Sequence, residues 1–171
     1  MSARRSTVAV IVLGVCAGLA LATLLAVGRG GGRPSTGEQR PVAAPAHSAA
    51  LDVLHRWDRA RARAWAAGDP AELRRLYVHG SAAGRADTRL LRRYVDRGLV
   101  VRRMAMQVLA VEVLPSQPRR LRLVVTDRLA GGVAVAGDRE VRLPGDAAST
   151  RFLELRREGA DWRVAAVRDR R

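Results

Sequence analysis

The sequence predicts an α+β domain carried behind one apolar span, and three observations predict it. Residues 7–27, TVAVIVLGVCAGLALATLLAV, form an unbroken apolar run without a charge. Between residues 49 and 97 apolar side chains recur at three- and four-residue spacing, and after Gly98 the pattern changes to Val- and Leu-rich stretches with partial alternation. Helices first and an antiparallel sheet afterwards is the order of an α+β domain, with the helices packed on one sheet face.

The apolar run is long enough to cross a bilayer. At about 1.5 Å per residue it covers the roughly 30 Å hydrocarbon core. Arg4 and Arg5 precede it, and a short basic flank stays inside while a long carboxy-terminal domain is translocated. The expectation is a single-pass plasma-membrane protein: residues 1–6 a cytoplasmic tail, 7–27 a transmembrane helix, 28–48 a linker and 49–171 an extracytoplasmic domain. A cleaved signal peptide is the alternative, since Ala26-Val27-Gly28 offers small residues at the inspected positions, but a signal core is usually only ~7–15 residues long. Cys16 suggests a lipoprotein less well than a buried membrane cysteine, because the apolar run continues past it. It is also the chain's one cysteine, so no disulfide is expected to support the outer domain.

Residues 28–48 are Gly- and Pro-rich with no apolar periodicity and read as a tether. The domain opens with a helix whose inner positions include Ala50, Leu54, Trp57, Arg61 or Ala60, and Trp65 or Ala64, ended by Gly68. Asp69-Pro70-Ala71-Glu72 starts a second helix with a cap acceptor, a first-turn proline and Glu in the capping-box place. Leu73, Leu76 and Tyr77 form its inner face. A loop over 79–84 leads to a third helix over 86–97, with Leu90, Leu91, Tyr94 and Val95 apolar and Gly98 closing it. Strands follow over 99–114 and 121–127, with a turn at Pro115-Ser116-Gln117-Pro118. Residues 131–146 read as a short strand with loops, and 150–157 and 161–168 form a hairpin about Glu158-Gly159-Ala160. Trp162, just after that turn, is expected to pack across the sheet onto the helices.

The chain carries a net charge of +15, and all 31 of its Lys and Arg residues are Arg. Asn is absent too, a composition that looks like the coding bias of a high-GC bacterial genome. A basic protein can bind nucleic acid. Placement outside the membrane argues against it, and no nucleic-acid partner is expected. Anionic lipid headgroups or acidic wall polymers are the accessible counter-ions, set against ordinary solvated arginine on helix and strand faces.

Trp65-Ala66-Ala67-Gly68-Asp69-Pro70-Ala71-Glu72-Leu73, Tyr94-Val95-Asp96-Arg97-Gly98-Leu99, and the closing Phe152-Leu153-Glu154-Leu155-Arg156-Arg157-Glu158-Gly159-Ala160-Asp161-Trp162-Arg163-Val164 resemble, in that order, the nuclear-transport-factor-2-like (NTF2-like) superfamily. That superfamily's cone-shaped α+β fold is shared with ketosteroid isomerases and SnoaL-type cyclases. The layout also resembles the membrane-anchored members found in high-GC bacteria. The resemblance implies three amino-terminal helices packed on a curved antiparallel sheet, and often a homodimer through the open sheet face.

In isomerase-like relatives the cone holds a carboxylate base and an oxyanion hole. Trp57, Tyr77, Tyr94 and Asp127 are the candidates here for lining such a cavity, although none aligns with the relatives' catalytic set. Ordinary core or rim packing is the competing account of the aromatics, and a surface ion pair that of Asp127. His79 is the histidine to test, and no His, Cys or carboxylate spacing suggests zinc. No nucleophile elbow or phosphate loop occurs, and no cofactor is expected. The expected function is a non-catalytic, membrane-anchored binding or scaffold protein of the cell envelope with an envelope protein partner. The alternatives are a small-molecule-binding or isomerase/cyclase-like enzyme using the cone, and an electrostatic binder of acidic lipid or wall polymer.

Overall fold

The helices α1 (Ala44–Ala67), α2 (Pro70–Arg75) and α3 (Ala82–Val95) come before every strand of the sheet. The computed structural model describes residues 44–170, so the tail, the apolar run 7–27 and the linker up to residue 43 lie outside the described residues. Among those described, no helix is long and apolar enough to cross a membrane.

α1 starts at Ala44, inside the stretch read as tether. Pro45 falls in its first turn, where a missing backbone N–H breaks no helical hydrogen bond, so this proline begins the helix and does not extend the linker. Gly68 ends the helix at φ +64°, and the Asp69 N–H turns back to the Ala64 carbonyl at 3.0 Å. The Asp69 carboxylate caps α2 through the N–H groups of Ala71 and Glu72, at 2.8 and 2.9 Å. Only that half of the capping box forms, because Glu72 pairs with Arg75 and the Asp69 N–H is already taken.

Ser81 caps α3 by accepting from the Gly84 N–H at 3.2 Å, which starts the helix four residues ahead of its expected beginning at residue 86. Gly84 is where α3 crosses Tyr77, and a Cβ there would stand 2.6 Å from the tyrosine Cβ. A helical Gly→Ala change ordinarily gains up to ~1 kcal/mol. Here Gly84→Ala should instead lose about 1–3 kcal/mol through overpacking. A thermal melt of the variant beside its parent decides the sign.

The strands are β1 (Val100–Val113), β2 (Arg120–Ala136), β3 (Arg139–Leu143), β4 (Ser149–Glu158) and β5 (Asp161–Asp169). They form one antiparallel sheet in the order β1-β2-β4-β5, with β3 paired to the carboxy-terminal part of β2. β1 changes register between Arg102 and Ala105, where Arg103 takes φ +54°, and again before Ala110. Such bulges bend and twist a sheet. The Gly131-Gly132 pair, at the start of the stretch read as a short strand with loops, lies inside β2. Gly132 is buried close beneath Leu143 and Val101, so its missing side chain permits a close approach and leaves the strand intact.

Side chains of one parity on β2 and β4 enter the core: Leu121, Leu123 and Val125 with Leu153 and Leu155, joined by Val101 and Val164. α1 meets them with Ala50, Val53, Leu54, Ala64 and Trp65, α2 with Leu73 and α3 with Leu91. Trp162 is only partly buried at the edge of this core, and Val164, two residues on, is fully enclosed. The segment after α2 runs beside β5. The Val78 N–H donates to the Val164 carbonyl at 2.9 Å and the Val164 N–H to the Leu76 carbonyl at 3.0 Å, so helical layer and last strand are stitched by backbone.

Candidate functional site

Between the helices and the sheet the inner side of α1 presents Trp57, Asp58, Arg61 and Trp65 at helical spacing, and α3 answers with Asp87 and Tyr94. Arg61 grips Asp87 with two prongs, Nε to Oδ2 at 2.7 Å and Nη2 to Oδ1 at 2.8 Å. The Tyr77 hydroxyl donates to the same Oδ2 at 2.7 Å. The guanidinium also lies 5.8 Å from the Trp65 ring centroid, and its Nη1 is 3.7 Å from Met104 Sδ.

The electrostatics follow from this geometry. Burial alone would raise the Asp87 carboxyl, but the Arg61 charge and hydrogen bonds reverse that and hold it below the ordinary carboxylate value. Burial likewise opposes charge on Arg61, and Asp87 outweighs it, so its pKa is raised. Tyr77 is pushed up by burial first and by the neighbouring Asp87 carboxylate second, which keeps it a neutral donor. The Trp65 indole N–H is buried near this group without completing a hydrogen bond.

Asp127, buried on β2, pairs diagonally with Arg151 of β4, which stands opposite Val125. Asp58 of α1 faces this pair without a hydrogen-bond partner among the described residues. Burial first, and the Asp127 charge among the opposing influences, lift the Asp58 carboxyl from 3.8 to about 6, against the pull of Arg61, His55 and Arg151. The folded chain therefore binds more protons at Asp58 than the unfolded chain between about pH 4 and 6, and this contribution stabilises below that window and is lost as pH rises through it. Asp58→Asn should raise stability near pH 7, by on the order of 1–3 kcal/mol, with the gain vanishing near pH 4. Urea midpoints of variant and parent at the two pH values measure it; an equal gain at both would remove Asp58 ionisation as its source.

The four residues expected to line a cavity therefore fall into three contacts, two of which meet at Arg61 and Asp87. Trp57 and Tyr77 pack edge to face at 5.7 Å and 88°, and the Trp57 indole N–H donates to the Leu76 carbonyl at 3.1 Å. Tyr94 packs edge to face with Trp65 at 5.3 Å and 80°. Asp127 is buried and ion-paired, not at the surface. His79 is exposed in the turn before Ser81. Asp58, Arg61, Asp87 and Arg151 were not singled out as site residues from the sequence. The signal was there for two of them: Arg61 and Asp87 occupy inner positions in the apolar repeats of their helices.

Concave ground lies on the other face of the sheet. A shallow open depression of about 510 Å³ is lined by Ala110, Val124, Thr126 and Thr150 with Glu112 and Arg170. An adjoining one of about 440 Å³ adds Leu114, Phe152 and Arg168. The register places Glu112, Val124, Phe152 and Arg168 in one row across β1, β2, β4 and β5. Arg170 reaches across to Glu112 at 3.6 Å, and the Thr126 and Thr150 hydroxyls share a hydrogen bond of 2.9 Å. Among the described residues no group of three or more His, Cys, Asp or Glu is arranged to hold a metal.

No protein-family model and no curated protein matches this chain. Among solved structures it is similar to the intermembrane-space region of chloroplast protein ARC6, at 11% identity and TM-score 0.47, over 72% of this chain and 96% of that one. It is also similar to an uncharacterized protein with a cystatin-like fold from Caulobacter vibrioides, at 15% identity and TM-score 0.42, over 70% and 87% of the two chains. A third likeness is to an NTF2-like protein with a cystatin-like fold from Novosphingobium aromaticivorans, at 12% identity and TM-score 0.41, over 75% and 88%. Likenesses this shallow carry no activity, partner or location to the present chain.

Proposed function

We propose that this chain is a membrane-anchored, extracytoplasmic binding module of the nuclear-transport-factor-2-like type, non-catalytic, that engages an envelope protein partner through the outer face of its sheet. One observation carries the reading: the interior acids Asp87 and Asp127 are committed to Arg61 and Arg151, while the concave surface lies outside, around Val124 and Phe152. Acids held in ion pairs by arginine are poor bases, because abstracting a proton would discharge the pair. An open, half-apolar hollow with Arg168 beside Asp169 and Arg170 paired with Glu112 at its rim suits a protein segment with an apolar centre and polar flanks.

A photo-crosslinking residue at Phe152 of the full chain, in membranes of its own cells, tests this. The expected product is one discrete adduct with another protein, lost when Arg168 and Arg170 are replaced by Glu. An adduct with a second copy of the chain would support a homodimer through the sheet instead. The isomerase- or cyclase-like alternative rests on Asp58, the interior acid without a hydrogen-bond partner and with its pKa raised to about 6. Saturable uptake of a polycyclic ligand, abolished by Asp58→Asn, would establish that reading in place of the scaffold.

A further inference from the structure

β1 is a free edge of the sheet. It pairs with β2 and, in the order β1-β2-β4-β5, has no strand on its other side. Among the described residues its backbone hydrogen bonds go to β2 alone. The opposite edge differs, because β5 is stitched at Val164 to residues 76–78. β3 offers an edge of only 5 residues, whereas β1 has 14. An unpaired row of N–H and C=O groups is a template for another strand, and proteins usually blunt it with charge or proline. Residues 104–111, MAMQVLAV, contain no charge, proline or glycine. Leu109, at 49%, is the most accessible large apolar side chain among the described residues.

The strand also has two matched halves. Met104, Val108 and Val111 turn to the core, whereas Arg102, Gln107 and Glu112 are exposed on the outer face. Arg102 stands five positions before Gln107, and Glu112 five after it. Register shifts between Arg102 and Ala105 and between Val108 and Ala110 each give β1 one extra residue, while the shift at Ala105–Met106 gives its extra residue to β2. Bulges ordinarily turn an edge away from partners. Here one lies on each side of Gln107, so a second β1 laid antiparallel about that residue inserts one residue for each that the first inserts. The register is recovered at the ends, where Arg102 of each copy stands opposite Glu112 of the other. Glu112 is held meanwhile only by Arg170 at 3.6 Å, with both side chains more than half accessible.

We propose that β1 is a homotypic edge: two copies of this chain join β1 to β1, antiparallel about a two-fold axis at Gln107, and continue the sheet from one copy into the other. Charge and symmetry select this occupant. A two-fold axis through the sheet sets residues of the same face opposite each other, as Arg102, Gln107 and Glu112 require. Parallel pairing in register would set Arg102 beside Arg102 and Glu112 beside Glu112, like charges that repel. The seam uses backbone groups at the sheet's edge and not the hollow around Val124 and Phe152, so this contact and the partner proposed for the hollow can fail independently.

The test uses the full chain with Cys16→Ala, so that an introduced cysteine is the only one. Directly opposed residues of paired strands stand about 4.5–5.5 Å apart at Cβ, which lets Gln107→Cys bond to its own copy under mild oxidation. The expected product is a disulfide dimer, formed many-fold faster than from Ala160→Cys in the β4–β5 turn. Ala105→Lys/Leu109→Lys, which sets lysines along the seam, should abolish it, and the melting curve of that variant reports whether the domain still folds. Light scattering of the cysteine-free chain should show Arg102→Glu or Glu112→Arg weakening dimerisation several-fold at about 0.1 M salt. Arg102→Glu/Glu112→Arg together should restore it. A monomer throughout, a dimer unaffected by the two lysines, or equal rates at Gln107→Cys and Ala160→Cys overturns the edge contact. A dimer that bonds through Phe152→Cys instead belongs to the sheet face and overturns it too. Failure of the double reversal to restore what the single ones lose overturns the antiparallel register and the second-copy assignment with it. A photo-crosslinker at Gln107 that captures a different protein would give the edge to that partner and overturn the proposal.

Discussion

Asp87→Ala should be among the most damaging single changes in this domain, costing about 3–5 kcal/mol. The substitution removes the acceptor of both Arg61 prongs and of the Tyr77 hydroxyl in one step. The side chain of Arg61 is only 20% accessible, so water cannot replace the lost carboxylate without opening the seam between α1 and α3. On the order of 10–20 °C should be lost from the thermal midpoint of the full chain. The double variant Arg61→Met/Asp87→Leu should recover much of this, because replacing both charges with apolar groups leaves neither uncompensated. If the double variant is no better than the single one, the network's value lies in geometry and not in charge balance.

Trp65→Ala should come next, at about 3–5 kcal/mol, for it empties a core site against which Tyr94 and Arg61 both pack. Trp162→Ala should cost clearly less. Its ring is only partly buried, whereas Trp65 is 4% accessible. Paired denaturant titrations of the two variants settle the order. A larger loss at Trp162 would mean that the closing hairpin, more than the α1 packing, secures the fold.

These two tryptophans also mark how far the sequence could be read. Repeats of three and four placed all three helices, and the caps at Asp69 and Ser81 explain two helix starts locally, but only the first was recognised. Ser81 was absorbed into a loop because Gly80 and Gly84 flank it, and the reason for Gly84, the close crossing of Tyr77, is a tertiary fact. The expected separate short strand within 131–146 is instead, up to Ala136, the continuation of β2, whose close packing at Gly132 is also tertiary. Trp162 and Val164 point to the same sheet face, and Val164, farther from the turn and opposite Leu155, takes the enclosed place.

The candidate site was less legible. Trp57, Tyr77, Tyr94 and Asp127 were identified by residue type. Their partners Arg61, Asp87 and Arg151 were not, since an arginine on a basic chain carries little information by itself. The pairing across 26 residues that gives Arg61 its meaning exists only once α1 and α3 are packed.

The backbone stitch between Val164 and residues 76–78 bears on when this protein can finish folding. It closes a loop of on the order of 90 residues, so the contact is of high order and slow to find. β5 is the last of the described strands in chain order, and before it is made Leu155 has no Val164 beside it and the edge of β4 is unpaired. A core completed only by β5 stays loose while the elements before it are being made.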